Sequence, residues 1–339
     1  MQEQSNKPVV LGGTGLVGSH LLYLLAQRGP VTATARSLKN HAAVEKVFQY
    51  YNAESGALWY RNIEWVNLDI LDVDGIQEVV ANAQEVYHCV ALVSFHRIDF
   101  YRCIEFNRQG TANVVNACLQ VPGLKLCYVS STAALGKNPG GMIDETCLWK
   151  ATDKNSGYSV SKFGAEKEVW RGIEEGLNAV IINPCTVIGA GKWEEGSMEL
   201  FGVAQKGMPF YPSGANAIVD ARDVAASMFF LMKNPYSAEK FLCTGSNQDF
   251  KTLFTLISQK MGKRGPKIYV PYWIALPISY AMETWSLLRK KRQGMTIEST
   301  RAAYSTRIYN PAKLKNLVPQ PFCTLEESID NALKGKIKP

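Results

Sequence analysis

Seven residues near the start limit what this chain can fold into more than any others. Gly12-Gly13-Thr14-Gly15-Leu16-Val17-Gly18 follows the apolar run Val9-Val10-Leu11 and opens into the amphipathic stretch Leu16–Gln27. Glycines between a buried strand and a helix let the chain turn tightly and bring backbone N–H groups up to an anion. The helix N-terminus adds partial positive charge at the same place. A glycine turn alone is ordinary punctuation. Between a strand and a helix it predicts the first unit of a dinucleotide-binding sheet, with Gly12, Gly15 and Gly18 against a pyrophosphate. The spacing is GxxGxxG, which differs from GxGxxG by one residue in the first interval.

The alternation continues. Apolar, β-rich runs at Pro8–Leu11, Val31–Ala35, Ile63–Asn67, Glu85–Val90, Leu124–Ser130 and Ala179–Asn183 predict strands. Leu16–Gln27, Val73–Ala83, Phe100–Leu119 and Tyr158–Glu174 predict helices between them. That order implies an α/β fold of Rossmann type, a doubly wound parallel sheet covered on both faces. At 339 residues the chain exceeds one compact core. Residues 1–185, with 215–245 returning to them, are expected to form the dinucleotide-binding domain. Residues 186–214, where Gly189–Gly196 and Gly207–Gly214 read as loops, and 246–339 are expected to form a smaller C-terminal substrate lobe. There Lys251–Met261 and Thr324–Lys334 predict helices.

Apolar content of 46% and a net charge of +7 are ordinary for a globular protein and do not point to nucleic acid. The eight cysteines form no CxxC pair, and most sit in apolar runs. They read as reduced thiols in a cytoplasmic protein without a metal site. The polar N-terminus, Met1 to Lys7, shows no signal peptide.

The end of the second strand bears on cofactor choice. An acidic residue there suits NAD, but Val31-Thr32-Ala33-Thr34-Ala35-Arg36-Ser37 has none. Arg36 pairing with a 2′-phosphate, helped by Ser37, favours NADP over NAD. The alternative is Arg36 stacking on the adenine without discriminating. Asp69 ends the third strand, placed either for the adenine amino group or to cap the helix after Asp72.

Tyr158 and Lys162 lie four apart in Tyr158-Ser159-Val160-Ser161-Lys162 and therefore share a helix face. An ammonium beside a phenol favours the phenolate, as a tyrosine acid–base group requires. Ser131, in Ser130-Ser131-Thr132 at the end of the fifth strand, is suited to hydrogen-bond a substrate oxygen. YxxxK alone is a common accident. Behind a Ser-Ser-Thr strand end and a glycine turn, it predicts hydride transfer between a nicotinamide cofactor and an alcohol or carbonyl.

On these segments, together with Tyr87-His88-Cys89-Val90-Ala91, Asn107 to Asn113, Val129 to Gly136 and Asn183 to Gly189, the chain resembles an extended short-chain dehydrogenase/reductase of the NAD-dependent epimerase/dehydratase superfamily. The resemblance covers residues 8–245 well and the last 90 loosely. It implies a catalytic Ser131, Tyr158 and Lys162. Asn107 matches an asparagine that supports the helix and a proton-relay water, or serves as a local helix-shaping hydrogen bond. The further cofactor contacts implied are Thr14, Leu16 and Val17 in the turn, and Ile70, Val90, Ala91, Pro184 and Val187 after later strands. Lys162 is also expected on the nicotinamide ribose. Dimerisation through the long helices after strands four and five is common in the family, which makes a homodimer an expectation.

Departures from the pattern narrow the branch. No carboxylate follows Ser131 in Thr132-Ala133-Ala134, which argues against dehydration. Thr186 and Asn216 stand where sugar-nucleotide epimerases carry Asn and Arg for the diphosphate, although Arg222 and Lys192 are candidate substitutes. Ala91-Leu92-Val93-Ser94-Phe95 and Ile182 to Gly189 are similar to the dihydroflavonol-4-reductase and 3β-hydroxysteroid dehydrogenase-like group. That similarity implies a small-molecule substrate, apolar or cyclic, oxidised or reduced at a carbonyl or secondary alcohol. A nucleotide-sugar epimerase with bound NAD and a non-enzymatic NADP-sensing protein are the rivals. Tyr272–Leu288 is strongly apolar and precedes Arg289-Lys290-Lys291-Arg292. It reads as a lobe helix, its aromatics serving the lobe core or a substrate cleft, with membrane-surface contact through 272–292 as the alternative.

Overall fold

A computed structural model of the chain describes residues 7–37, 39, 41–152, 155–289 and 295–337. The first part runs β1 (Val9–Leu11), α1 (Leu16–Ala26), β2 (Val31–Ala35), α2 (His41–Tyr51), α3 (Gly56–Tyr60), β3 (Ile63–Asn67), α4 (Val73–Val80), β4 (Glu85–His88), α5 (Phe100–Leu119), β5 (Lys125–Val129), α6 (Gly157–Glu174) and β6 (Asn178–Pro184). Then come β7 (Thr186–Ile188), α7 (Glu199–Lys206), β8 (Phe210–Tyr211), β9 (Ala215–Asp220), α8 (Ala221–Lys233) and β10 (Glu239–Cys243). The last part holds β11 (Ser246–Asp249), α9 (Phe250–Lys260), β12 (Ile268–Tyr269), α10 (Tyr272–Arg289), α11 (Ile297–Ala303), α12 (Ala312–Lys315) and α13 (Leu325–Lys334).

Seven strands form one sheet in the order β10-β6-β5-β4-β1-β2-β3, every pair parallel. This is the doubly wound Rossmann arrangement the alternation predicts. Its core follows from the period of two in a strand buried on both faces. Val9, Leu11, Leu126, Tyr128, Ala179 and Ile181 pack on one side with residues of α4, α5 and α6. Val10, Cys127, Val129, Val180 and Ile182 pack on the other with residues of α1 and α8. Chain order reverses between β1 and β4, so the crevice at their C-terminal ends is the topological switch point.

Two helices between β2 and β3 were not legible in the sequence. α2 buries only Val44, Val47 and Phe48, too narrow a stripe to stand out. It is fixed by aromatic contacts, Tyr23 meeting Phe48 and Tyr51 at 5.3 and 5.0 Å. Residues 215–245 split between sheets. β9 joins β7 and β11 in a three-stranded sheet, whereas β10 pairs with β6 at the edge of the main one. β8 and β12 form a separate parallel pair.

Two buried polar contacts fasten these parts. Asp220 is fully buried and caps α8 through the Arg222 N–H at 2.8 Å. It also accepts two hydrogen bonds from the Arg222 guanidinium, at 2.9 and 2.8 Å, and one from Asn331 of α13 at 3.3 Å. Asn331 donates as well to the Tyr51 hydroxyl of α2, at 3.0 Å.

Lys125 of β5 is the second fastener. Its Nζ donates to the carbonyls of Leu231, Asn234 and Met232 at 2.8, 2.6 and 3.4 Å, where α8 has run out of partners. Burial lowers the pKa of this ammonium from its ordinary value. We expect Lys125→Met to cost roughly 1–3 kcal/mol, the worth of charge-assisted bonds to carbonyls left unpaired. Urea denaturation checks this, and an unchanged midpoint refutes it.

Candidate active site

The glycine turn fills the switch-point crevice. The Gly13 N–H donates to the Thr34 carbonyl at 2.9 Å, fixing the turn on β2. Gly12 has φ of +84°, in the left-handed region, and a Cβ there would lie 2.9 Å from Val90 Cγ2. A Cβ on Gly18 would sit 2.3 Å from the Gly12 carbonyl oxygen. Gly15 differs. It is exposed, and the nearest atom to an added Cβ is 3.5 Å away. It is also the N-cap of α1 and supplies no side-chain cap. An open surface in front of a helix start without a capping side chain fits a pyrophosphate. Thr14, Leu16 and Val17 are partly exposed around it.

The adenosine side is less enclosed. Arg36 is exposed just past β2, its guanidinium 5.9 Å from the Phe106 ring centre. Asp69 is exposed and accepts from the Leu71 N–H at 3.0 Å. Asp72 caps α4, through the Gly75 N–H at 3.1 Å, so the capping alternative for Asp69 does not hold. Ile70 is buried, with its side chain 2.6 Å from where a Cβ on Gly110 would be. Val90 and Ala91 are partly exposed beyond β4, Pro184 ends β6, and Val187 lies in β7.

Ser131 and Tyr158 come together. The Ser131 hydroxyl lies close enough to the Tyr158 phenol to act on its ionisation, and both side chains are partly exposed. Ser131 also caps a short turn, accepting from the Ala133 N–H at 3.1 Å. Tyr158 sits in the first turn of α6 behind the cap Ser156, with the Phe95 ring 5.7 Å away. Burial raises the tyrosine pKa, and the neighbouring Ser131 hydroxyl only partly opposes it. The sequence expectation of a lowered value is therefore not met. Lys162 is buried, and its Nζ donates to the Val129 carbonyl at 2.7 Å and to the Tyr128 hydroxyl at 3.3 Å. Burial pushes the Lys162 pKa down to about 7, while the Glu166 carboxylate pulls it up.

Asn107 acts as a clasp. Its Oδ1 accepts from the Leu92 N–H at 2.7 Å, and its Nδ2 donates to the Leu92 carbonyl at 3.0 Å and to Ser161 Oγ at 2.8 Å. Ser161 in turn donates to the Tyr158 carbonyl at 2.8 Å. These bonds tie the segment after β4 to the helix carrying Tyr158.

Beneath the site lies a layer the sequence reading missed. Glu166, four residues beyond Lys162 on α6, is buried. It accepts from Ser130 Oγ at 2.7 Å and from Asn183 Nδ2 at 2.8 Å. Asn183 also donates to the Ser131 carbonyl at 3.1 Å. On the other side, the Tyr128 ring lies 5.1 Å from that of His88, whose Nε2 is 3.0 Å from Thr111 Oγ1. Burial, with Lys162 nearby, pushes the His88 pKa down to about 3, so this ring is neutral. The signal for Glu166 was present as a third polar residue at spacing four after Tyr158 and Lys162.

On the substrate side Thr186 and Asn216 satisfy one another, Asn216 Nδ2 donating to Thr186 Oγ1 at 3.2 Å. Arg222 is held bidentately by Asp220, and Lys192 pairs with Glu195 at 3.3 Å.

Residues 9–242 match the model of the NAD dependent epimerase/dehydratase family, and the chain belongs to that family. It is 25% identical over 336 residues to a putative dihydroflavonol 4-reductase of Synechocystis sp., spanning 96% of this chain and 92% of that protein. It is 27% identical over 289 residues to an anthocyanidin reductase of Vitis vinifera, spanning 77% and 82%. Among solved structures, UDP-N-acetylglucosamine 4-epimerase from Methanobrevibacter ruminantium superposes with a TM-score of 0.71 at 18% identity, over 96% of this chain and 97% of the other. The chain is thus an oxidoreductase of the extended short-chain type, whose family binds NAD(P).

The charge of Glu166 gives a direct test. Glu166→Gln keeps an oxygen for Ser130 and Asn183 but removes the charge that raises the Lys162 pKa. A lysine needed as its ammonium then loses its proton at lower pH. We expect the alkaline limb of the kcat/KM profile for carbonyl reduction to move down by on the order of one pH unit. A profile superimposable on the parent's would contradict this coupling.

Proposed function

We propose that this member of the NAD dependent epimerase/dehydratase family is an NADP(H)-dependent oxidoreductase that interconverts a carbonyl and a secondary alcohol on a small, apolar or cyclic substrate. The observation that carries the reading is the Ser131 hydroxyl placed beside the Tyr158 phenol, whose pKa burial raises above its ordinary value. A protonated phenol suits delivery of a proton to a carbonyl oxygen, with the Ser131 hydroxyl fixing that oxygen. When bound, the nicotinamide supplies or accepts the hydride. Tyr158 Oη gives its proton to the substrate oxygen in reduction and takes it back in oxidation. Lys162 holds positive charge behind the tyrosine and, in this reading, the nicotinamide ribose. Its charge is kept from collapsing by Glu166. Asn107 holds the helix start in place through Ser161 and Leu92.

The rival reading, a nucleotide-sugar epimerase, needs donors for a substrate diphosphate. The mutual bond of Thr186 and Asn216, and the Asp220 grip on Arg222, favour the reductase. The free thiols of all eight cysteines suit a reducing, cytoplasmic setting. α5 and α6 pack side by side with Tyr101, Arg108 and Arg171 on their outer groove, the surface where we expect two copies to pair.

Tyr158→Phe removes the transferable proton and leaves the glycine cradle untouched. It should lower carbonyl-reduction turnover by at least roughly 10²-fold with cofactor affinity unchanged. Turnover at the parent rate sinks the assignment, and conversion of UDP-sugars without net oxidation by the parent protein favours the rival. For the cofactor, Arg36→Glu should cut kcat/KM for NADPH at least about tenfold and spare NADH. Equal losses with both would mean that Arg36 does not read the 2′-phosphate.

A further inference from the structure

α10 is built inside out. Its buried residues are Ala275, Ser279 and Glu283, one stripe at spacing four, while its large apolar side chains face solvent. Trp273 is 74% exposed, Trp285 58% and Leu288 76%, with Ile278, Tyr280 and Leu287 also open. The helix is held from beneath by a polar hook, Glu283 Oε2 accepting from the Ile297 N–H at 2.9 Å at the start of α11. The β8–β12 pair, which immediately precedes α10, exposes Phe210 and its register partner Ile268 on one face. An ordinary lobe helix turns its apolar face inward, so the reading of these aromatics as lobe core is not met for Trp273, Tyr280 and Trp285, which are exposed. Exposed apolar surface on this scale marks an interaction site.

Charge identifies the occupant. Between residues 268 and 288 the sequence carries one charged side chain, Glu283, and that one is buried. The stretch is bracketed by exposed Lys263, Arg264 and Lys267 before it and by Arg289 after it. Arg289 lies over the Trp285 ring at 4.3 Å. The basic run continues in sequence as Lys290, Lys291 and Arg292, outside the described residues. Among the described residues no helix is long and apolar enough to cross a membrane. An apolar face rich in Trp and Tyr, flanked by cations and too short to span, has the chemistry of a helix lying in the plane of a lipid surface.

We propose that the α10 face, with Phe210 and Ile268, docks on an anionic lipid bilayer surface. The inner edge of α10 abuts the 96–98 segment, next to Phe95, whose ring meets Tyr158. The inference rests on the exposed face and the bracketing charges, and stands whether or not the reaction is the one proposed above.

Sedimentation of the full chain with vesicles tests it. The parent should pellet with phosphatidylglycerol–phosphatidylcholine vesicles and not with phosphatidylcholine alone, and the binding should weaken as salt rises. Trp273→Glu combined with Trp285→Glu changes only exposed side chains. Its vesicle affinity should fall at least roughly tenfold with an unchanged thermal midpoint. No pelleting of the parent at low salt, or equal pelleting with neutral vesicles, overturns the proposal. So does a parent that self-associates without binding vesicles and becomes monomeric in the double variant, since a second copy would then be what covers the face.

Discussion

A buried carboxylate fixes the geometry on which the site depends. Glu166 sits under α6 and reaches across to Ser130 at the end of β5 and Asn183 in β6. An uncompensated charge at that depth would be expensive, and the two short donors offset the cost. These three elements carry Lys162, Ser131 and Pro184, so one carboxylate aligns the helix bearing the acid–base pair with the strand ends that face it. Its field also opposes the desolvation of Lys162. The site is therefore positioned by parts that never meet a substrate.

The fold and the substrate side follow different rules. The sheet needs only alternation and burial, and its switch point needs only a turn that fits between β1 and β4. The substrate side is written in particular pairs. Thr186 and Asn216 close on one another across β7 and β9, and Arg222 closes on Asp220. Polar groups already satisfied within the protein offer less to a phosphate than free ones. Internal pairing of this kind lowers what a surface offers to an anion without removing its polar residues.

Much of this was legible in the sequence, for physical reasons. Val31–Ala35, Ile63–Asn67 and Phe100–Leu119 match the predicted bounds because their hydrophobic period is unambiguous. Predicted Glu85–Val90 ends at His88, since the chain leaves the sheet to meet the glycine turn. α2 and α3 escaped notice because aromatic contacts from α1, not a wide apolar stripe, hold α2. Ser131, Tyr158 and Asn107 were singled out from motifs, and Asn107 reaches the turn that carries Tyr158 through Ser161. The raised pKa of Tyr158 was not foreseen, because desolvation is a property of the packed site and not of residue spacing. The outward face of α10 was offered only as an alternative, since a run of Trp, Tyr and Leu reads the same whichever way it points.

Asn331 has a consequence for how the molecule comes together during synthesis. Asp220 is fully buried, and one of its partners lies 111 residues further along the chain. The same amide reaches Tyr51, 280 residues back. A chain emerging from the ribosome can lay down the parallel sheet and α8 well before α13 exists. Until α13 arrives, the Asp220 carboxylate leans on Arg222 alone and Tyr51 lacks its amide donor. The nascent sheet is thus an unfinished article with a polar seam open to water, and closing that seam is a late, long-range event of the slow kind.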